Sequence, residues 1–188
     1  MRLLPHRPVI LATVVLGVGM ATVALAQEDV FDFIPEGGRT LLQNARADGL
    51  SAVLEAAIAS ESGDADAWGG RLEAAKADVP AIEALDSWQT DTLAHYLAAN
   101  APLAADAELP RDGRDMALAL CQSCHIITVV VTQDRTQEAW LRTMNSPSHV
   151  EIATTPAERE ALADYLVINA GIPIDQIPPE LRAGGASY

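Results

Sequence analysis

Apolar residues along this chain recur mostly at intervals of three and four. Leu41, Leu42, Ala45, Leu50, Val53, Leu54 and Ile58 keep that spacing and predict helix across the region. Another helix is predicted from Asp86 or Ser87 to a stop by Pro102. A further one runs from about Asp112 into Cys121, with Met116 and Leu120 on one face. The next begins near Thr136, where Gln137 and Glu138 occupy the first turn and the helix dipole favours negative charge. The last has the clearest limits. Thr155 is its N-cap, Pro156 its first residue, and Glu158 closes a capping box. It passes Tyr165 and Asn169 and stops at Gly171, with Pro173 beyond. Only the β-branched run from Ile126 to Thr132 departs from this reading. The predicted fold class is all-α.

The pattern occurs twice. Gly38-Arg39 matches Gly113-Arg114, Asp66-Ala67-Trp68 matches Glu138-Ala139-Trp140, and the stretch from Thr92 to Ala101 around Tyr96 matches that from Ala161 to Ala170 around Tyr165. The chain is therefore expected to form two tandem helical domains, 27–105 and 106–188. Each has about eighty residues, a size at which one hydrophobic core is marginal, so the first half is expected to lean on its twin or on another subunit. Residues present in both halves, Trp68 and Trp140, Tyr96 and Tyr165, read as scaffold. Residues confined to the second half are the candidates for chemistry.

Ahead of the repeat, Arg2 and Arg7 precede an apolar run from Val9 to Val23, and Ala24-Leu25-Ala26 follows. This is the pattern of a secretory signal peptide over 1–26, with an uncleaved membrane anchor as the alternative. The mature protein is expected in the periplasm. Removing that segment takes two arginines and no acid, so the formal charge falls from −14 to −16. Such a charge argues against nucleic acid or anionic lipid as partner and favours steered encounter with a basic docking patch on another protein.

Both cysteines lie in Cys121-Gln122-Ser123-Cys124-His125. This is C-x-x-C-H, the attachment signature of c-type haem. Two thiols three positions apart add across the haem vinyl groups, and the adjacent histidine supplies the proximal nitrogen. A redox disulfide would be expected in a βαβ context, and a closed zinc site would want further Cys or His ligands. The aligned positions in the first half are Gly49, Ala52 and Val53, which cannot attach haem. One covalently held haem c is therefore expected, on Cys121, Cys124 and His125.

Together these features resemble the monohaem class I cytochrome c domain, over 108–170 and in weaker form over 35–103. The family carries a glycine eight residues before the first haem cysteine, as Gly113 stands here, and an aliphatic–aromatic pair on the last helix that is similar to Leu162 and Tyr165. Its usual aromatic four residues after that glycine is Ala117 in this chain, with Met116 placed to fill the gap. The resemblance implies a largely buried iron with an exposed haem edge and single-electron transfer, and makes the first half a degenerate copy without haem.

For the distal iron ligand, His149 and Met144 compete. Met144 shares a helical face with Trp140, and its first-half counterpart is Leu72, which suits a core position. His149 lies beyond Ser146-Pro147, sixteen residues before Tyr165, and appears only in the haem half. His149 is the preferred ligand and Met144 the alternative. Arg135, opposite Gly63, is a candidate partner for a haem propionate. The expected function is an electron carrier or electron-transfer subunit of an oxidoreductase, with no catalytic residues and no small-molecule substrate. The alternatives are a haem enzyme of peroxidase or reductase type, and a gas-binding sensor with an open distal site. Pro178-Pro179 and Gly184-Gly185 suggest an extended C-terminus.

Overall fold

A computed structural model describes residues 30–182; the predicted export segment, 1–26, lies outside the described residues. The first half contains α1 (Gly38–Asp48), α2 (Ala52–Ser60), α3 (Ala65–Ala75), the single turn α4 (Pro80–Glu83) and α5 (Ser87–Asn100). The second contains α6 (Gly113–Met116), which runs on as a π-helical turn over Ala117–Cys121, then the single turn α7 (Thr128–Val131), α8 (Gln137–Met144) and α9 (Pro156–Asn169). Two 3₁₀ turns, Ile174–Gln176 and Pro179–Leu181, close the described chain. Among the described residues there is no strand, and no helix is long and apolar enough to cross a membrane.

Short-range signals set most helix starts. Ser51, Asp64, Asp86, Thr136 and Thr155 each accept a backbone N–H of the helix they precede. Thr155 and Glu158 form the expected reciprocal box, as do Asp86 and Gln89. Gly49, with φ of +105°, separates α1 from α2. That break resets the helical phase, so Val53 faces solvent, 82 % exposed, rather than joining the apolar stripe. The β-branched stretch forms the turn α7, because burial of Ile127 and Val131 in the core outweighs its strand preference.

Two hydrophobic cores result. In the first, α5 packs against both α1 and α3, around Leu42, Ile58, Trp68, Leu72, Leu93 and Leu97. In the second, α9 packs against both α6 and α8, around Met116, Ile127, Val131, Trp140, Leu162 and Leu166. Matched residues do matched work. A Cβ on Gly38 would lie 2.2 Å from the Tyr96 Cβ, and one on Gly113 would lie 2.1 Å from the Tyr165 Cβ. Only glycine lets the paired helices cross so closely. The Arg71 guanidinium lies 4.7 Å from the Trp68 ring centre, and that of Arg135 lies 5.1 Å from Trp140.

The halves meet through α5 and α9 about a local pseudo-two-fold. His95 and Asp164 hold equivalent positions in the repeat, and they face each other at 3.5 Å. The segments leading into α1 and α6 are exchanged. The Tyr96 hydroxyl donates to the Pro110 carbonyl at 2.9 Å, and the Tyr165 hydroxyl to that of Pro35 at 2.6 Å. Arg39 pairs with Asp115, while Arg114 donates to the carbonyls of Phe31 and Ile34. Phe31, Phe33 and Ile34 accordingly pack in the second core, and Leu109 in the first.

One carboxylate serves two helices. Asp112, only 4 % exposed, accepts from Asp115 N through Oδ1 and from Arg39 N through Oδ2, each at 2.9 Å. It thus caps its own α6 and also α1, whose own N-cap, Gly37, has no side chain to offer. A Cβ on Gly37 would lie 2.0 Å from the Asp112 Oδ2, so glycine there is what admits the carboxylate.

Candidate functional site

The π-helical turn ends at the first cysteine of the C-x-x-C-H segment. Such turns carry one extra residue and recur at functional sites. The Cys121 carbonyl then accepts from Cys124 N at 3.2 Å and from His125 N at 2.9 Å, which folds the pentapeptide into one turn. Gln122 Oε1 accepts from Ile127 N at 2.8 Å, and the Ser123 hydroxyl donates to the Leu120 carbonyl. Cys121 is half-buried, Cys124 and His125 are exposed, and both thiols are free. Burial pushes the Cys121 thiol up, and its place at the C-terminal end of a helix also disfavours the thiolate. That is the reverse of the environment that activates a redox C-x-x-C pair.

This turn forms one wall of a cavity of about 120 Å³. Trp140 and Met144 of α8, His149 of the following loop, and Leu162 of α9 face it. The structure therefore brings Cys121, Cys124, His125, His149 and Met144 to one place. The His125 and His149 rings lie 6.1 Å apart, centre to centre, inclined by 35°. His149 Nδ1 is held by the Ser146 and Ser148 hydroxyls at 3.1 and 3.0 Å, which leaves Nε2 for another partner. Met144 is 9 % exposed and belongs to the second core beside Trp140, as its counterpart Leu72 belongs to the first.

Arg135 does not line the cavity. It stacks on Trp140 and donates to Thr143 Oγ1 at 2.9 Å, repeating the Arg71–Trp68 stack of the first half. The arginine that does line the cavity is Arg159 on α9. Sequence reasoning missed it, although a signal existed: its counterpart in the repeat is Thr90, so it too is confined to the second half.

Among the described residues, no group of three or more His, Cys, Asp or Glu side chains is disposed to hold a metal ion. The two histidines and two thiols instead suit a group that brings most of its own donors, such as a porphyrin needing only axial ligands and tethers. The Trp140 Nε1 is buried without a partner, as is that of Trp68. A wider groove of about 560 Å³ runs between the halves, but it contains none of these residues. Of its charged lining residues, Arg111 pairs with Glu158, while His95 and Arg39 pair with Asp164 and Asp115 beside the groove. Comparison of the chain with protein-family models, curated proteins and solved structures finds no match.

Proposed function

We propose that this chain is an exported, periplasmic monohaem c-type cytochrome, resembling class I, whose first half is a degenerate copy without haem. Cys121 and Cys124 would tether haem c, and His125 and His149 would supply the protein ligands of its iron. The observation that carries the reading is the convergence of an attachment signature and a second imidazole on one cavity. The cavity is smaller than the ligand pockets of about 300–1,000 Å³ typical of organic cofactors. A porphyrin tethered there would therefore lie largely outside the cavity, on the side of exposed Cys124 and His125.

Haem bound there supplies a one-electron ferric–ferrous couple. The chain's own residues do the rest. Cys121 and Cys124 tether, the turn closed on the Cys121 carbonyl orients His125, and the two serines orient His149. Trp140, Met144, Leu162 and Leu166 keep water from the inner face. Two imidazoles give a lower reduction potential than the histidine–methionine pair. The acidic mature chain steers encounters with a basic patch on a redox partner. The chain acts as a carrier or electron-transfer subunit rather than as an enzyme.

The test is production in a periplasm equipped for c-haem maturation. A covalent pyridine haemochrome of one haem per chain is expected, with a low-spin spectrum that carbon monoxide alters only slowly. Colourless protein with two free thiols overturns the proposal. Coloured protein that is high-spin, or binds carbon monoxide rapidly, replaces electron transfer with an open-site haem function.

A further inference from the structure

Between α8 and α9 the chain must hold His149 at a fixed distance from His125 across an open cavity. The intervening stretch, 145–155, contains no helix or strand. Isolated turns are poor at holding a side chain to within the tolerance that ligation requires. One side chain fastens this stretch at both ends. Arg159, in the first turns of α9, donates from one guanidinium nitrogen to the Met144 carbonyl and to Asn145 Oδ1, ahead of His149. From its other terminal nitrogen it donates to the carbonyls of Val150 and Ile152, at 3.3 and 3.2 Å, just after His149. All four acceptors are neutral oxygens. A planar fork with several fixed donors can span such a set, whereas a lysine ammonium on a flexible stem cannot.

We infer that Arg159 is a positioning residue that clamps the 145–152 loop and thereby sets the His149 imidazole opposite His125. The inference rests on the haem reading above, since it gives the clamp its purpose. The clamp acts through geometry, not through its charge. Arg159→Lys, which keeps the charge, is therefore expected to resemble Arg159→Gln, which does not.

The experiment uses the holo-protein and three variants, Arg159→Gln, Arg159→Lys and His149→Ala, with Arg111→Gln as a control. Arg111 pairs with Glu158 on the same helix and donates to the Ala153 carbonyl, beyond the four acceptors that Arg159 holds. Two readouts are taken: the rate of carbon monoxide binding to the ferrous form, and amide hydrogen exchange across 146–152. Loss of several charge-assisted hydrogen bonds predicts about tenfold or more in each, for Arg159→Gln and Arg159→Lys alike. Arg111→Gln should change neither. In the His149→Ala background, Arg159→Gln should add nothing to the carbon monoxide rate, because the ligand it positions is gone.

Four results overturn the inference: an unchanged carbon monoxide rate in Arg159→Gln, full function in Arg159→Lys, equal loosening by Arg111→Gln, or additivity with His149→Ala. If Arg159→Gln does not fold, Arg159→Lys and its loop exchange decide alone. A parent protein without haem defeats both this inference and the haem reading. A haem-loaded, low-spin parent whose Arg159 variants are unchanged defeats the clamp only.

Discussion

Replacing Asp112 by alanine should cost about twice what an ordinary helix cap costs. A single N-cap substitution of this kind typically destabilises by roughly 1 kcal/mol. Asp112 caps two helices, one through each carboxylate oxygen, at 2.9 Å in both cases. Its loss orphans the Asp115 and Arg39 N–H groups in a site only 4 % exposed. Water therefore does not readily replace the lost acceptors. Part of the loss is offset, because burial already holds the Asp112 carboxyl above its usual range and so makes its charged form costly. Two caps, with that offset set against the added cost of leaving two buried N–H groups unpaired, come to about 2 kcal/mol, or roughly 4–8 °C in Tm for a chain of this size. The internal standard is Asp64→Ala, which removes a one-helix cap, exposed at the surface, on Ala67 N. Urea denaturation of both variants, followed by helical circular dichroism, gives the comparison. Asp112→Asn, with a single acceptor oxygen, should fall between parent and alanine. If Asp112→Ala costs no more than Asp64→Ala, the shared-cap account is wrong.

Glycine-to-alanine changes should split by sign. Gly38→Ala and Gly113→Ala force apart helices whose Cβ atoms would meet at 2.2 and 2.1 Å, costing about 1–3 kcal/mol, whereas Gly69→Ala and Gly70→Ala, with no neighbour inside 4 Å, should stabilise by about 0.5–1 kcal/mol in thermal melts. In holo-protein, His149→Ala should convert the haem to a high-spin, carbon monoxide-binding form, while Met144→Leu should keep the low-spin spectrum and cost under about 1.5 kcal/mol of packing; high spin in Met144→Leu alone would reverse the ligand assignment. Hydrogen bonding to Asp164 raises the His95 pKa above 6.5 despite partial burial. The stability it adds is complete below pH 6.5 and fades as pH rises through the raised value, so the gap between parent and His95→Gln in denaturant midpoints should close toward alkaline pH. Solvent screening keeps this effect small at a half-exposed pair, and a gap that widens with pH would refute it.

Helix starts were legible because their determinants lie within three residues, as with Thr155, Pro156 and Glu158. The scaffold residues were legible through repetition: Trp68 and Trp140 are both buried, and Gly38 and Gly113 meet equivalent tyrosines. What failed was phase and reach. Val53 was misplaced because a left-handed glycine at 49 resets the register, and periodicity carried across such a break cannot see the reset. The turn at 128–131 follows burial rather than local preference. Docking of the segment before α1 on the second half and the sharing of Asp112 rest on contacts more than seventy residues apart, which no local pattern encodes. At the site, the pentapeptide marked Cys121, Cys124 and His125 as one local unit, and they do fold into one turn on the Cys121 carbonyl. The role of Arg159 depends on which carbonyls surround its guanidinium, and that is decided only once α9 has docked.

The Tyr165–Pro35 hydrogen bond joins residues 130 positions apart, so it fastens the opening stretch of the described residues to their last long helix. A contact that encloses so much polypeptide is slow to find by chance, and local helices form far sooner. Interactions made after the rate-limiting barrier leave the speed of folding alone and lengthen the lifetime of the finished state. This latch therefore governs how long the chain survives proteases and heat, not how quickly it takes shape.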